Sequence, residues 1–306
     1  MTNMPLISVI VPSYNYEKFI VQSLESVISQ TYENLELVII DDFSKDNSVA
    51  LISKLISQER VKKRFNGNIR FIIHKVNRGA HYSINEGINA SAGEYISILN
   101  ADDLYKEDRF KIMISAMLAQ NAEFSFSKIN VIDGEGVLAD TAEGEAAKFV
   151  TVQNSINTFP TVGWSLVPHN SAISTGNMLF TRDIYIKVGG FRNLKYCHDW
   201  DFILKSLLIT EPLYIPDTIY YYRLHGNNSY LQLDNVVDRE VKTVLGSFFY
   251  SCRKKQLLNN LCPSPNIWDN EFMTQIKNMS LDHFWLFSKT PLNYVYQLRQ
   301  SFIDRR

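Results

Sequence analysis

Four short β-rich apolar runs follow one another at intervals that each leave room for a helix, and this alternation constrains the fold more than any other feature. Leu6–Val11, Leu35–Ile40, Ile69–Ile73 and Tyr95–Leu99 read as strands, the first and the last of them buried. Between the first two, Phe19, Ile20, Leu24, Val27 and Ile28 recur at helical spacing. Val49, Ile52, Leu55 and Ile56 line one side of a second helix, which Ser44 or Asp46 can cap. A third runs to about Asn89, where Ser91-Ala92-Gly93 breaks it. Such alternation predicts an α/β fold: a mostly parallel sheet with right-handed crossovers and flanking helices. Beyond Asp103 the pattern weakens. It predicts helices over Phe110–Leu118 and Trp200–Leu208, and strands over Glu123–Val131, Asn177–Phe180 and Leu213–Ile215. Asp133–Lys148, rich in Gly, Ala and acidic residues, reads as a surface loop near the mouth of the site.

Three polar clusters follow predicted strands: Ser13-Tyr14-Asn15, Asp41-Asp42 and Asn100-Ala101-Asp102-Asp103. A parallel sheet brings them to one edge, where ligands of α/β proteins sit. Adjacent carboxylates there suit a hard divalent cation, which draws its remaining ligands from water and substrate phosphates. The expected ligand is a metal-bound phosphate ester. A helix-capping acidic pair before Lys106–Ala116 would also explain Asp102 or Asp103 taken alone.

The formal net charge of −1 gives no broad attraction to nucleic acid or anionic lipid. Cys197, Cys252 and Cys262 are scattered and lack metal-ligand spacing, which suits free thiols in a reducing compartment. No basic segment with a signal-type apolar run opens the sequence, and no apolar stretch is long enough to span a bilayer. The expectation is a cytoplasmic protein, free or peripheral at the inner face of the cell membrane.

Seven segments in order carry a resemblance. They are Ser8–Asn15, Leu37–Asp42, Asn77-Arg78-Gly79, Gly93–Asp103, Val188–Phe191, His198–Asp201 and Tyr222–Ser229. Together the chain resembles the family 2 glycosyltransferases, inverting nucleotide-sugar enzymes of the GT-A fold. The resemblance implies a GT-A catalytic domain over 1–232, with a nucleotide-binding half to about 103 and an acceptor half from about 104. Residues 233–306 would form a C-terminal helical extension. It further implies a nucleotide-sugar donor, a glycan or lipid-linked acceptor in bacterial surface polysaccharide synthesis, and Mn²⁺ or Mg²⁺.

Site residues follow from the same resemblance. Pro12 and Tyr14 would face the nucleotide, Asp42 would accept a hydrogen bond from uracil N3–H, and Arg78 would lie near the pyrimidine or the phosphates. Asp102 would bind the metal, and His225 would stand near the diphosphate or metal. Asp103 would act in support through sugar hydroxyls or a metal-bound water. Asn100 occupies the first acidic position of the family's Asp-X-Asp pattern, where an amide can orient a ribose or a water but adds no charge. Asp199 matches the catalytic base, and His198 replaces the usual Glu before it. His169 is a further acceptor-site candidate. Asn100 and His198 keep open an alternative, a catalytically silent sugar-nucleotide or glycan-binding protein of the same fold.

Within the extension, Leu292, Val295, Tyr296, Leu298, Phe302 and Ile303 would share one helix face, with Arg299, Arg305 and Arg306 nearby. Such a segment could close the catalytic domain, form a dimer interface or lie on an anionic membrane, although Arg299 falls within the apolar face. The expectation is docking to a partner or membrane, with no catalytic group contributed.

Overall fold

The second apolar run becomes a strand buried at every position, Leu35–Asp41, as a run without polar alternation requires when both faces of a sheet are covered. The computed structural model describes residues 4–141, 143–226, 228, 235–253 and 257–288. Its first part runs β1 (Ile7–Ser13), α1 (Ile20–Ile28), β2 (Leu35–Asp41), α2 (Ser48–Ile56), α3 (Glu59–Arg64), β3 (Ile69–Ile73), α4 (Ala80–Asn89) and β4 (Tyr95–Ile98). Then come β5 (Leu104–Tyr105), α5 (Arg109–Gln120), β6 (Phe124–Ile132), α6 (Gly144–Asn154) and α7 (Val162–Ser165). The order closes with β7 (Met178–Thr181), α8 (Arg182–Val188), α9 (His198–Leu207), β8 (Leu213–Arg223), α10 (Asn235–Cys252), α11 (Pro265–Asn278) and α12 (Asp282–Phe287).

The eight strands form one sheet in the order β3-β2-β1-β4-β7-β6-β8-β5. From β3 to β4 it is parallel, as the alternation predicts. β7 then runs antiparallel to both β4 and β6, and β5 to β8, while β6 and β8 pair in parallel, so a mostly parallel sheet carries antiparallel pairings at β7 and β5. Register explains the site's position. Ser13 pairs with Asp41 and Ile10 with Ile98, so β1, β2 and β4 end at the same edge and release their polar clusters there.

Two compact units divide the chain. The first comprises the described residues of 1–154, 172–191 and 212–226, and holds the whole sheet. Its core includes Val9, Leu37, Ile39, Phe110 and Leu179, all fully buried. The second comprises those of 155–171, 192–211 and 227–306, so neither unit ends at 232. An aromatic cluster forms its centre: Trp164 meets Trp268 and Phe272 at 5.6 and 5.9 Å, and Trp285 meets Phe272 and Phe249 at 4.9 and 5.9 Å.

Two local expectations are corrected. Asp133–Lys148 is not a loop throughout, because α6 begins at Gly144. The last strand extends far past Ile215 to Arg223, across a bulge where Ser127 pairs with Ile215 and Lys128 with Ile219. Of the two caps offered for α2, Asp46 accepts from its first N–H, Ser48 N to Oδ1 at 3.0 Å, while Asn47 holds the N-cap position without a side-chain bond. The amphipathic face proposed over Leu292–Ile303 lies outside the described residues.

Candidate active site

At the β1 end, Pro12 lies opposite Ile40, and Tyr14 projects beyond the strand with 42% exposure. Asn15 there adopts φ 61°. The following turn is fastened to the loop after β2: Asn15 N donates to Ser44 Oγ at 2.9 Å, Tyr16 N to Ser48 Oγ at 3.0 Å and Glu17 N to Asp46 Oδ2 at 2.9 Å. Asp41 turns to Ser44, accepting from its N–H and hydroxyl.

Asp42 is buried and organises the Asn77-Arg78-Gly79 turn. Its Oδ1 accepts from Arg78 N at 2.8 Å and its Oδ2 from Gly79 N at 2.7 Å. Gly79 has φ 89° and ψ 156°, a conformation open to glycine and costly for other residues. His74 Nδ1 lies 2.7 Å from Asp42 Oδ1, and its Nε2 lies against Glu86. Burial pulls the His74 pKa down, but the hydrogen bonds to Asp42 and Glu86 outweigh it and leave the group raised. The Arg78 guanidinium stacks on Tyr82, 3.5 Å from the ring centroid.

The acidic cluster after β4 separates its two aspartates. Asp102 Oδ2 lies 2.9 Å from His225 Nε2, and Tyr16 is hydrogen-bonded to the same carboxylate. The Asp102 charge, burial and Asp103 together push the Tyr16 phenol far above its ordinary value. His225 stacks on Phe19 with centroids 4.9 Å apart. Asp103, by contrast, meets the Tyr220 hydroxyl, accepts from Arg223 N at 2.7 Å and from Asn100 Nδ2 at 3.1 Å. Burial and neighbouring Asp102 raise its pKa well above the carboxylate range, against the pull of those hydrogen bonds. The role expected of Asp103 toward sugar hydroxyls thus meets a carboxylate already occupied inside its own unit. Asn100 Nδ2 also donates to Ser174 Oγ at 2.9 Å. Gly176 makes room for this arrangement, since a Cβ there would fall 1.9 Å from the Tyr220 hydroxyl oxygen.

Arg223, fully buried, ties the edge together. Its Nε donates to the Asp102 carbonyl at 2.6 Å, Nη1 to the Asp133 and Gly134 carbonyls at 3.1 Å, and Nη2 to Gln22 Oε1 at 2.8 Å.

Asp199 belongs to the second unit, in the first turn of α9. Its Oδ1 accepts from Trp200 N at 2.7 Å and its Oδ2 from Asn170 Nδ2 at 2.8 Å. Burial raises its pKa above the ordinary carboxylate value, although His198 and the hydrogen bonds oppose the rise. Two residues on, Asp201 is paired with Arg192 and, at 2.9 Å, with Lys205. His169 stands next to Asn170; burial lowers its pKa, and its Nε2 is buried without a hydrogen-bond partner.

With this geometry in hand, the comparisons with known proteins decide the family. The family model described as Glycosyl transferase family 2 matches residues 8–189. The chain belongs to glycosyl transferase family 2. It is 25% identical over 245 residues to an uncharacterized glycosyltransferase of Nostoc sp., covering 78% of this chain and 71% of that protein. It is 32% identical over 151 residues to the glycosyltransferase GlyG of Streptococcus pneumoniae, covering 49% of this chain and 45% of that one. The GT-A fold is shared with S. aureus TarS 1-349 in complex with UDP-GlcNAc: TM-score 0.61 and 17% identity, over 92% of this chain and 79% of that one.

The matched residues 8–189 include Asp102 and Asp103, whereas Asp199 and His225 lie beyond them. The first unit brings Asp102 to His225, Asn100 to Asp103, and Asp42 to the backbone of Arg78. Motif position alone did not find Tyr16, His74, Glu86, Tyr220 or Arg223. Arg223 is visible only as a member of the Tyr222–Ser229 segment, and Tyr16 and Tyr220 lie just outside the quoted segments. His74 and Glu86 carry no local signal, because each earns its place from partners far along the chain.

Proposed function

We propose that this glycosyltransferase is metal-dependent and inverting, taking its sugar from a nucleotide sugar, foremost a UDP-sugar. The acceptor is a hydroxyl of a glycan or lipid-linked saccharide in bacterial surface polysaccharide synthesis. The observation that carries this reading is the convergence of the Asp102 carboxylate and the His225 imidazole, 2.9 Å apart, at the edge where β1, β2 and β4 end. Support comes from named relatives and neighbours. One neighbour is the Pyrobaculum calidifontis mannosyltransferase PcManGT in complex with GDP-Man and Mn²⁺ (TM-score 0.59, 14% identity, 100% of this chain and 82% of that one). One relative, TuaG of Bacillus subtilis, is named as a candidate teichuronic acid biosynthesis glycosyltransferase and is 30% identical over 141 residues, 46% of this chain and 53% of that protein.

The donor set fits Mn²⁺ or Mg²⁺ in a particular way. Among the described residues no group of three or more His, Cys, Asp or Glu is gathered for a metal. Asp102 and His225 would therefore hold the ion as a pair, leaving its other positions to phosphate oxygens and water. Bound there, the cation would offset the charge that builds on the departing nucleoside diphosphate. Tyr14 offers an aromatic face to the base. Asp42, with three acceptor positions used, keeps the Arg78 turn in shape and has one lone pair left for a base N–H.

Asp199 takes the proton of the attacking acceptor hydroxyl. In a single in-line displacement that hydroxyl bonds to C1 as the C1–O bond to the diphosphate breaks, so one base suffices and no covalent nucleophile is needed. A raised pKa moves a carboxylate toward the operating pH, where a general base is most effective. His198 and His169 serve the acceptor. A panel of UDP-, GDP- and dTDP-sugars with Mn²⁺ tests the donor by thermal shift, since ligands that bind the native state raise stability. NMR of the product tests the stereochemistry. UDP-sugars should stabilise only with metal, and the new linkage should have the anomeric configuration opposite to the donor's. Retention of configuration, or undiminished transfer in EDTA, would overturn the reading.

A further inference from the structure

We infer that Glu240, on α10 in the C-terminal part of the chain, is a positioning residue for Asp199. The inference rests on the reading of Asp199 as the base. Three consecutive backbone N–H groups converge on the Glu240 carboxylate: Lys195 N reaches Oε1 at 2.6 Å, and Tyr196 N and Cys197 N reach Oε2 at 2.9 and 3.0 Å. These are the residues that lead into α9. Cys197, its N-cap, makes no side-chain capping bond, and its carbonyl accepts the first N–H of the helix from Asp201 at 2.9 Å.

Glu240, from another helix, thereby fixes the backbone that enters α9; of its three donors Cys197 N, at the N-cap, is one of the N–H groups that the helix itself leaves free. A carboxylate there also complements the positive end of α9. Glu240, Val244 and Phe248 recur at four-residue spacing on one face of α10, and all three are buried. This face packs toward Leu204 and Leu208, around a cavity of about 150 Å³. The anchor is thus built into the core of the second unit rather than hung on its surface. Asp199 follows the last anchored residue by two positions. The Cys197 thiol is pushed up to about 12 by burial and then by Asp199, Glu240 and Asp201.

The consequence is that the C-terminal part takes part in transfer chemistry by setting where the base stands, although it touches no reacting atom. A displacement of the base by about 1 Å can cost on the order of 10²-fold in rate.

The test uses the full chain and compares Glu240→Ala, Glu240→Gln and Asp199→Asn, with the folded fraction measured by UDP-binding stoichiometry. Glu240→Ala should lower kcat for transfer by ~10- to 10²-fold, with donor KM unchanged. Glu240→Gln, which keeps one acceptor oxygen, should fall between it and wild type. The acid limb of kcat should also move down in Glu240→Ala, because a loosened loop lets water reach Asp199, and a merely structural loss would not move that limb. If Glu240→Ala fails to fold, the same split and limb shift are read from Glu240→Gln. Normal kcat per folded molecule in the Glu240 variants, with Asp199→Asn crippled, would overturn this inference and leave the base reading intact. Normal transfer in Asp199→Asn would overturn both.

Discussion

Two aspartate pairs, one in each compact unit, divide their labour differently. At the sheet edge, Asp102 meets an imidazole and a phenol, whereas Asp103 is buried against Tyr220, Arg223 N and Asn100. At the start of α9, Asp199 meets a side-chain amide and its neighbour's N–H, whereas Asp201 is held by the cations Arg192 and Lys205. Each motif thus spends one carboxylate on structure and presents the other through neutral or titratable partners. The difference lies in the spent one. Asp201 is compensated by fixed positive charge, whereas Asp103 accepts hydrogen bonds that oppose, without cancelling, the rise in its pKa caused by burial and then by Asp102. At the sheet edge the buried Arg223 guanidinium is the cation near Asp102 and Asp103, and its Nε goes to the Asp102 carbonyl; at α9 two cations pair directly with the Asp201 carboxylate.

The comparison can be broken first at Asp201. Asp201→Ala should destabilise the protein by about 3 kcal/mol, because it strips a buried anion from two cations; denaturant unfolding measures it. A loss near zero would show that Arg192 and Lys205 find water instead, and that the second site is not neutralised by design.

Next is pH. Asp199 must be deprotonated to act, and its raised pKa means that kcat should fall on the acid side above the ordinary Asp value of about 3.9. A pH-rate profile whose acid limb stays at the ordinary value would remove burial of Asp199 from the account.

The strand edges were legible because their physics is local. A continuous apolar run closed by Asp41-Asp42, or by Asn100 to Asp103, reads as a strand delivering polar groups to an edge, and both do so. The strand through Arg223 was seen only as far as Ile215, since Pro216 and Asp217 interrupt the pattern and lie in the bulge. Among site residues, Asp102 and Asp199 were found by motif, but their surroundings were not. Asp103 reads in sequence as a supporting group toward sugar hydroxyls or a metal-bound water, and only the arrival of Tyr220 and Arg223 from β8 shows its carboxylate occupied. Glu240 was hidden most completely. It sits in a segment read as an extension, and its partners are bare backbone N–H groups, which no side-chain pattern reports.

The smallest expected effect sharpens the first unit. His74 has a raised pKa in the folded state, so its contribution to stability is complete below about pH 6.5 and lost as pH rises through the folded value. His74→Gln should flatten the dependence of Tm on pH from 6 to 8 and leave transfer at pH 6 little changed. An unaltered dependence would place the titration elsewhere.

The central claim is that Asp102, not Asp103, carries metal-dependent donor binding, and calorimetric titration of UDP with and without Mn²⁺ tests it most directly. In the wild-type protein Mn²⁺ should strengthen UDP binding. Asp102→Asn should abolish that increment while its melting transition stays cooperative, and Asp103→Asn, if folded, should retain it. An Asp102→Asn protein that keeps the full Mn²⁺ increment would contradict the account.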